Sequence, residues 1–418
     1  MVTLVIQLVQ VPLFIAFWGV EKYGEWLVLT GVPLLFVLAD AGVAQASANK
    51  CTMEMGRQSF EDARNTLKTA RAYVTLVALL VAVVGLLLAV VVDWTALLKL
   101  GTVPPNSAKV VILLIACYVA FSLQGGYYGA WLRASDQTPV HAFIEGSTRV
   151  FDLCTVALAL FVGGSFITVA VALLLSAAVC RLTHSLIARR LSSHQLRSPG
   201  KATLGQLCAV LKPSAGFIGI SLTQTLTVQG GIQVLNQISN QQTVVLFNTV
   251  RILVRTLVLL GGAVSNALRP ELARLVGEGR EYLAATFSKR ITITTQAIGV
   301  AVYVMFVLFG PLAIEMWTDS KITASHVVFG MVGLHAILHV TWLMPATLRF
   351  ATNRHVRLAA AYAISALTAL GFWVLAKGII DPMIGAAFLL ALPELAALVI
   401  ISTKPNRCQA AGQTRIGT

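Results

Sequence analysis

Apolar residues run along this chain in blocks of about twenty, divided by short polar segments, from Val2 almost to the C-terminus. A helix that crosses a membrane needs about 20 mostly apolar residues, so each block predicts one span. The blocks fall at 2–19, 25–48, 72–92, 109–132, 140–163, 165–188, 209–235, 242–268, 290–314, 326–348, 357–376 and 383–402. They predict about twelve spans. No polar stretch is long enough to fold as a separate soluble domain. The first block begins at the initiator Met with no polar leader, and the expectation is that the chain starts inside that helix. A second apolar block follows at once without an A-x-A site, so no cleavable signal peptide is expected.

Composition agrees with the pattern. Of 418 residues, 57% are hydrophobic and 11% charged, and the mean hydropathy is +0.81; soluble domains carry about 25% charged residues. The fold class is therefore an all-α polytopic membrane protein. A net charge of +14 would suggest a nucleic-acid partner in a soluble protein. Here the basic residues sort by alternate loops. Lys50, Arg57, Arg64, Lys68, Arg71, Arg133, Arg189, Arg190, Arg197 and Lys201 lie on one side, with Arg269, Arg274, Arg280, Lys289, Arg290, Arg349, Arg354, Arg357 and the tail cations. The other side holds Lys22, Lys99, Lys109, Lys321 and Lys377. A ratio of roughly four to one is what the positive-inside rule produces, and it predicts that both termini are cytoplasmic. The charge is then a topology signal, and no nucleic acid is expected.

The two halves echo each other. EMGRQSFEDARNTLKTAR follows the second span and VGEGREYLAATFSKR follows the eighth. Each has a Gly-Arg pair (Gly56-Arg57 and Gly279-Arg280), an amphipathic stretch and a basic approach to the next span. This predicts a six-helix lobe over 1–190, a cytoplasmic linker over 191–207, a second six-helix lobe over 208–403 and a cytoplasmic tail over 404–418. Repeats of this kind mark transporters with a site at the repeat interface.

Polar residues form stripes inside three spans. In the eighth, Asn248, Arg251, Arg255, Gly262, Asn266 and Arg269 follow helical steps. In the fifth, His141, Glu145, Arg149 and Asp152 do the same. The seventh carries Thr223, Gln229, Gln233, Asn236 and Gln237, with Gly230-Gly231 as a place to bend. Intramembrane ionisable residues face the bundle interior or a water-filled cavity and mark substrate pathways. Two readings stand for each stripe. Glu145, Arg149 and Asp152 either line a cavity or neutralise one another. The amides of the seventh span either face a lumen or join helices. Arg251 and Arg255 either face a lumen or pair with acids on another helix. A cavity bearing Arg251, Arg255 and Arg149 is net cationic and suits an anion, phosphate above all.

Other features add less. Asp40 suits helix capping, pairing or ion coupling equally. Glu394, after Pro393, is either a proton-linked acid or a satisfied one. His335 and His339 are one turn apart but lack a third ligand at metal spacing, so no metal site is expected. Gly125 and Gly129 predict close helix packing. Six cysteines occur singly without CxxC spacing, which predicts neither a disulfide framework nor a metal centre. There is no GxxxxGK[ST] loop, no nucleophile–base pair and no long outer loop. Neither an enzyme nor a cofactor is expected.

The segment VEKYGEWLVLTGVPLLFVLADAGVAQASANK resembles the opening of bacterial polysaccharide flippases. These form the Wzx-like branch of the exporter superfamily that also holds the MATE drug antiporters. The resemblance is carried by Tyr23, Gly24, Trp26, Asp40 and Gly42. In VVLFNTVRILVRTL…ALRPELARLVGEG it is carried by Phe247, Arg251, Arg255, Pro270 and Glu271. The absent start of the first helix departs from the family pattern. The resemblance implies a V-shaped fold of about 12 transmembrane helices in two six-helix lobes. It also implies movement of a polyprenyl-pyrophosphate-linked oligosaccharide across the bacterial inner membrane, from the cytoplasmic to the periplasmic leaflet. The partners so implied are the lipid-linked oligosaccharide, membrane lipid and a polysaccharide polymerase. Arg251, Arg255 and Asn248 would hold the anionic headgroup, Arg149 would face it, and Gln229, Gln233 and Asn236 would contact sugar. Asp40, Glu145, Asp152 and Glu394 are the candidates for ion coupling by a proton or sodium gradient. The alternatives are a MATE-like exporter of cationic drugs and, with less support, a glycan polymerase or ligase.

Overall fold

A computed structural model of the chain describes residues 2–40, 42–192, 196, 200–277, 280–351 and 356–403. The described residues are almost all helical, as expected where lipid offers no partner for backbone N–H and C=O groups. The expected tail, Lys404 onward, and Gly279 of the second Gly-Arg pair lie outside them. Two compact units divide the chain, Val2–Ser221 and the part from Leu222 on.

The first unit holds α1 (Val2–Leu34), α2 (Val43–Gly56), α3 (Phe60–Val91), the short α4 (Trp94–Leu97), α5 (Pro105–Ala134), α6 (Thr138–Phe161), α7 (Phe166–Leu191) and most of α8 (Leu204–Thr225). A 3-10 turn, Leu35–Asp40, joins α1 to α2. The second unit continues through a π-helical turn (Leu226–Gly230) into α9 (Gly231–Ile238), α10 (Gln241–Gly277), α11 (Glu281–Trp317), α12 (His326–Ala351), α13 (Val356–Leu375) and α14 (Pro382–Thr403).

Helix α1 is two spans. Gly19 leaves helical geometry at φ 76°, ψ 173°. Phe14 stacks on Tyr23 and Trp26 with ring centroids 5.3 and 5.9 Å apart. Twelve residues of straight helix would separate Phe14 from Trp26 by about 18 Å, so the chain reverses at Gly19. Only a residue without Cβ adopts that backbone without strain. Nine helical segments among the described residues are long and apolar enough to cross a membrane. The two arms of α1, α6 and the α8–α9 pair complete the twelve-helix, two-lobed architecture.

Within the first unit, the expected outer loops gather at one end. Trp18 Nε1 donates to the Gly164 carbonyl at 3.1 Å, tying the α1 reversal to the α6–α7 turn. The buried carboxylate of Glu25 accepts from Gly101 N (2.7 Å), Thr102 N (2.9 Å) and the Thr102 hydroxyl (2.6 Å), which closes the α4–α5 loop. At the other end, the chain leading into α8 is strapped onto α2 and α3. Lys201 N donates to Asn65 Oδ1 (2.6 Å), Thr203 N to Thr69 Oγ1 (3.2 Å) and Thr66 Oγ1 to Gln206 Oε1 (3.2 Å). Lys50 also reaches Gln206, and Val210 packs on Val43 and Ala46. The structural division therefore falls inside the seventh span, after the expected linker over 191–207, because that linker and the start of α8 are bonded to the first unit.

The halves repeat their internal packing. In each, the second span packs on the third and fourth, the third on the fourth, the fourth on the sixth, and the fifth on the sixth. Small residues allow the close approaches. A Cβ at Gly85 of α3 would lie 2.4 Å from Ala116 of α5, and one at Gly385 of α14 would strike the buried Trp373 ring of α13. Large apolar side chains point outward instead, as Leu76, Leu79 and Leu87 do on α3 and Ile293, Val304 and Leu308 on α11. Facing lipid costs these residues nothing, because lipid tails are as apolar as they are.

Candidate functional site

Each unit carries a polar cluster between its fourth, fifth and sixth spans. In the first unit, α5, α6 and α7 enclose a cavity of about 220 Å³. The α6 stripe supplies Glu145, Thr148, Arg149 and Asp152, and α7 supplies Cys180, Arg181 and His184. Asp152 accepts a hydrogen bond from Ser176 of α7 and one at 3.4 Å from Tyr118 of α5. Its lone pairs are thus engaged by neutral hydroxyls, and Arg149 stays exposed, outside ion-pair distance of any acid among the described residues. The Arg181 guanidinium lies 5.6 Å above the Phe121 ring, at cation–π distance.

The glycines of QGGYYGA make room for this cluster. A Cβ at Gly129 would fall 2.3 Å from the His141 ring, and one at Gly125 would lie 3.9 Å from His184 Nδ1. The two imidazoles are 5.9 Å apart. Among the described residues, Arg181 Nε, His184 Nε2 and His141 Nδ1 are buried without a hydrogen-bond partner. Buried polar atoms are almost always satisfied, so these three call for water or a polar ligand. Arg181 and His184 had a weak sequence signal. They are three residues apart within the sixth span, but close enough to Arg189-Arg190 to read as cations of the membrane edge.

In the second unit the cluster is tighter. Glu394 of α14 is buried, and its carboxylate accepts from His339 Nδ1 (3.2 and 3.1 Å), from the Tyr362 hydroxyl of α13 (2.7 Å) and from the Trp342 indole. His335, one turn before His339, directs Nδ1 to the Val332 carbonyl. His335 also lies within electrostatic reach of Glu394 and of Arg251 on α10. Among the described residues, no cluster of three or more His, Cys, Asp or Glu could hold a metal ion.

The remaining candidates fall as follows. Arg251 is buried and donates to Asn248 Oδ1 at 2.8 Å, an i,i+3 bond within the α10 stripe. Arg255 is half-buried and Asn266 exposed on the same helix, and the Arg269 side chain lies outside the described set. Gln229 sits in the π-helical turn with a buried, unpartnered Oε1. Its neighbours Gln233 and Asn236 belong to α9, where Asn236 accepts from Gln241 Nε2 at 2.9 Å. The expected bend at Gly230-Gly231 thus takes the form of a π turn, a feature frequent at functional sites. Asp40 closes the 3-10 turn, and its carboxylate accepts from Ala44 N in the first turn of α2 at 3.4 Å.

The sequence matches no family model and no curated protein. The fold does have counterparts. An inward-facing multidrug resistance MATE transporter of the MOP superfamily superposes with a TM-score of 0.76 at 13% identity, over 98% of this chain and 96% of that one. The lipid II flippase MurJ in an inward closed conformation gives 0.71 at 12% identity, over 97% and 87%. A MOP-superfamily transporter from Pyrococcus furiosus, described by a reversed polarity of its binding pocket, gives 0.61 at 12% identity, over 97% and 95%. At these identities the likeness is one of fold alone.

Proposed function

We propose that this chain is a secondary transporter that flips a lipid-linked oligosaccharide, carried on a polyprenyl pyrophosphate, across the bacterial inner membrane for surface polysaccharide assembly. The single observation that carries the reading is the first-unit cavity. There Arg149 is open, Arg181 Nε and His184 Nε2 are buried without partners, and Asp152 is already held by Ser176 and Tyr118. Unsatisfied N–H donors of a guanidinium recognise phosphate oxygens in a bidentate manner. The α10 stripe of Asn248, Arg251 and Arg255 supplies further cationic character in the second unit, and the amides Gln229, Gln233 and Asn236 suit sugar hydroxyls. The flippase among the fold counterparts makes a lipid-linked cargo a natural member of this architecture. The loop charges support cytoplasmic termini, and a polysaccharide polymerase is the partner such cargo would next meet.

A second reading, an exporter of cationic drugs, is favoured by one observation, the exposed Glu145 carboxylate on the same cavity. The test separates the two. Arg149→Gln and Arg255→Gln are each introduced into the producing strain, and inserted protein and surface polysaccharide are measured. Loss of polysaccharide with normal protein level is expected; unchanged polysaccharide in both variants sinks the flippase reading. Altered efflux of a cationic dye in Glu145→Gln, with polysaccharide intact, favours the exporter.

A further inference from the structure

The outer-loop end of the first unit holds a second cavity, of about 440 Å³, within the range of about 300–1,000 Å³ usual for small-molecule sites. It shares no lining residue with the cavity at Asp152. Its walls come from the α1 reversal (Phe17, Trp18, Lys22), the chain entering α5 (Thr102, Ser107) and the α6–α7 turn. Two of these walls are held in place. The Trp18 ring stacks on Phe166 with centroids 4.6 Å apart while its Nε1 is bonded to Gly164, and Thr102 is clamped by Glu25. Indole rings concentrate at membrane–water interfaces, and Trp18 lies 5.6 Å from Trp26, which sets this cavity at headgroup level.

Among the lining residues only Lys22 carries a formal charge. It makes no ion pair among the described residues, and the Ser107 hydroxyl has no hydrogen-bond partner among them. Glu25, one turn after Lys22, spends its carboxylate on the α4–α5 loop. Lys109, another cation of this end, differs in lying within electrostatic reach of Asp93. Helices α5 and α7 also begin at the rim, after Pro104 and Ser165, so the positive ends of two long helices add to the Lys22 field. The opposite lip is apolar. Phe17 meets Phe161 edge to face at 4.8 Å, and both are exposed, as Val5 and Val9 are on α1. A cationic, hydroxyl-bearing cavity that continues into a lipid-facing strip fits an anionic amphiphile better than a soluble ion.

We propose that this cavity binds the anionic headgroup of a membrane phospholipid, with its phosphate at Lys22 and Ser107 and its acyl chains along Phe17 and Phe161. A lipid seated there bridges the α1 reversal, the start of α5 and the α6–α7 turn. The site stands without any cargo and does not rest on the transport reading.

The full chain is reconstituted in nanodiscs of phosphatidylcholine, with and without phosphatidylglycerol, and acetylated briefly with acetic anhydride. Peptide mass spectrometry gives the rate at each lysine. Phosphatidylglycerol is expected to slow Lys22 about fivefold or more relative to Lys321 and Lys377, the exposed lysines assigned to the same side. Equal slowing of all three reports only the surface potential and overturns the inference, as does no slowing. Ser107→Phe fills the cavity and leaves Lys22 in place, so it is expected to abolish the protection; protection retained in that variant puts the lipid elsewhere and overturns the site. Should Ser107→Phe fail to insert, Ile167→Phe, which also lines the cavity, serves the same purpose. Inorganic phosphate added to the phosphatidylcholine nanodiscs is expected to leave Lys22 reactive. Protection by phosphate alone would replace the lipid with a soluble anion and overturn the proposal.

Discussion

Tyr362 and Glu394 meet at 2.7 Å between α13 and α14, and both are buried. The hydroxyl is one of three donors that hold an ionised carboxylate inside an apolar bundle. A hydrogen bond to a charged group contributes about 1.5–3 kcal/mol, and Tyr362→Phe is expected to cost that much. Glu394→Ala strands His339, Trp342 and Tyr362 together and should cost about 3–5 kcal/mol, as when one member of a buried pair is removed. Thermal unfolding of the purified variants checks both values. Wild-type stability for Glu394→Ala would mean that the network is not formed.

Glu25 does comparable work at the other end of the first unit. It satisfies two backbone N–H groups and a hydroxyl of the α4–α5 loop, across more than seventy residues of chain. Replacing it with Ala leaves Gly101 N and Thr102 N without their partner. The expected loss is about 2 kcal/mol, and faster amide exchange confined to Gly101 and Thr102 is the local signature. Uniform acceleration through the unit would argue instead for global destabilisation.

These two acids show what the chain's pattern reveals and what it hides. The spans were legible because apolar runs and loop charges are local properties, and the break expected between 2–19 and 25–48 falls where the chain reverses at Gly19. The α6 stripe was legible too, since His141, Glu145, Arg149 and Asp152 share a face at helical spacing. Its partners were not. Ser176 and Tyr118 are ordinary residues of other spans, and nothing in their surroundings announces Asp152. Glu394 could be flagged as an acid in a span, but its three donors lie 32 to 55 residues away. Glu25 escaped notice beside Tyr23, Gly24 and Trp26, because a carboxylate at a membrane edge looks like a solvated one. Arg251 stood out as a cation inside an apolar span, whereas its burial against Asn248 depended on the rotamer.

Acid should loosen the short helix α4. Asp93 caps it, accepting from the Thr95 hydroxyl at 2.7 Å and from Thr95 N and Ala96 N. These bonds, the Thr95 hydroxyl first, hold the Asp93 carboxyl below its ordinary value of 3.8. A depressed carboxyl stabilises the fold fully above the unfolded value and loses that contribution as pH falls through the folded one. Amide exchange at Thr95 and Ala96, corrected for intrinsic rates, should therefore be slow at pH 5 and rise below about 4. Asp93→Asn should flatten this dependence. A pH dependence retained in that variant would assign it to another group.

The reversal at Gly19 carries the twelve-span topology, and it can be tested by distance. Phe14 and Trp26 stack at 5.9 Å, whereas an unbroken helix would hold them about 18 Å apart. Cysteines placed at both positions should join through a short thiol-reactive linker in intact membranes, and a pair at Phe14 and Val5 should not, because nine residues of the same arm span about 13 Å. Gly19→Val tests the cause. A β-branched residue at positive φ is a steric outlier, so this variant should lower both the cross-linking yield and the amount of folded protein. Absence of joining for Phe14–Trp26 would replace the hairpin with one long helix and take a span from the topology; efficient joining of the Phe14–Val5 pair would show only that the linker reaches about 13 Å.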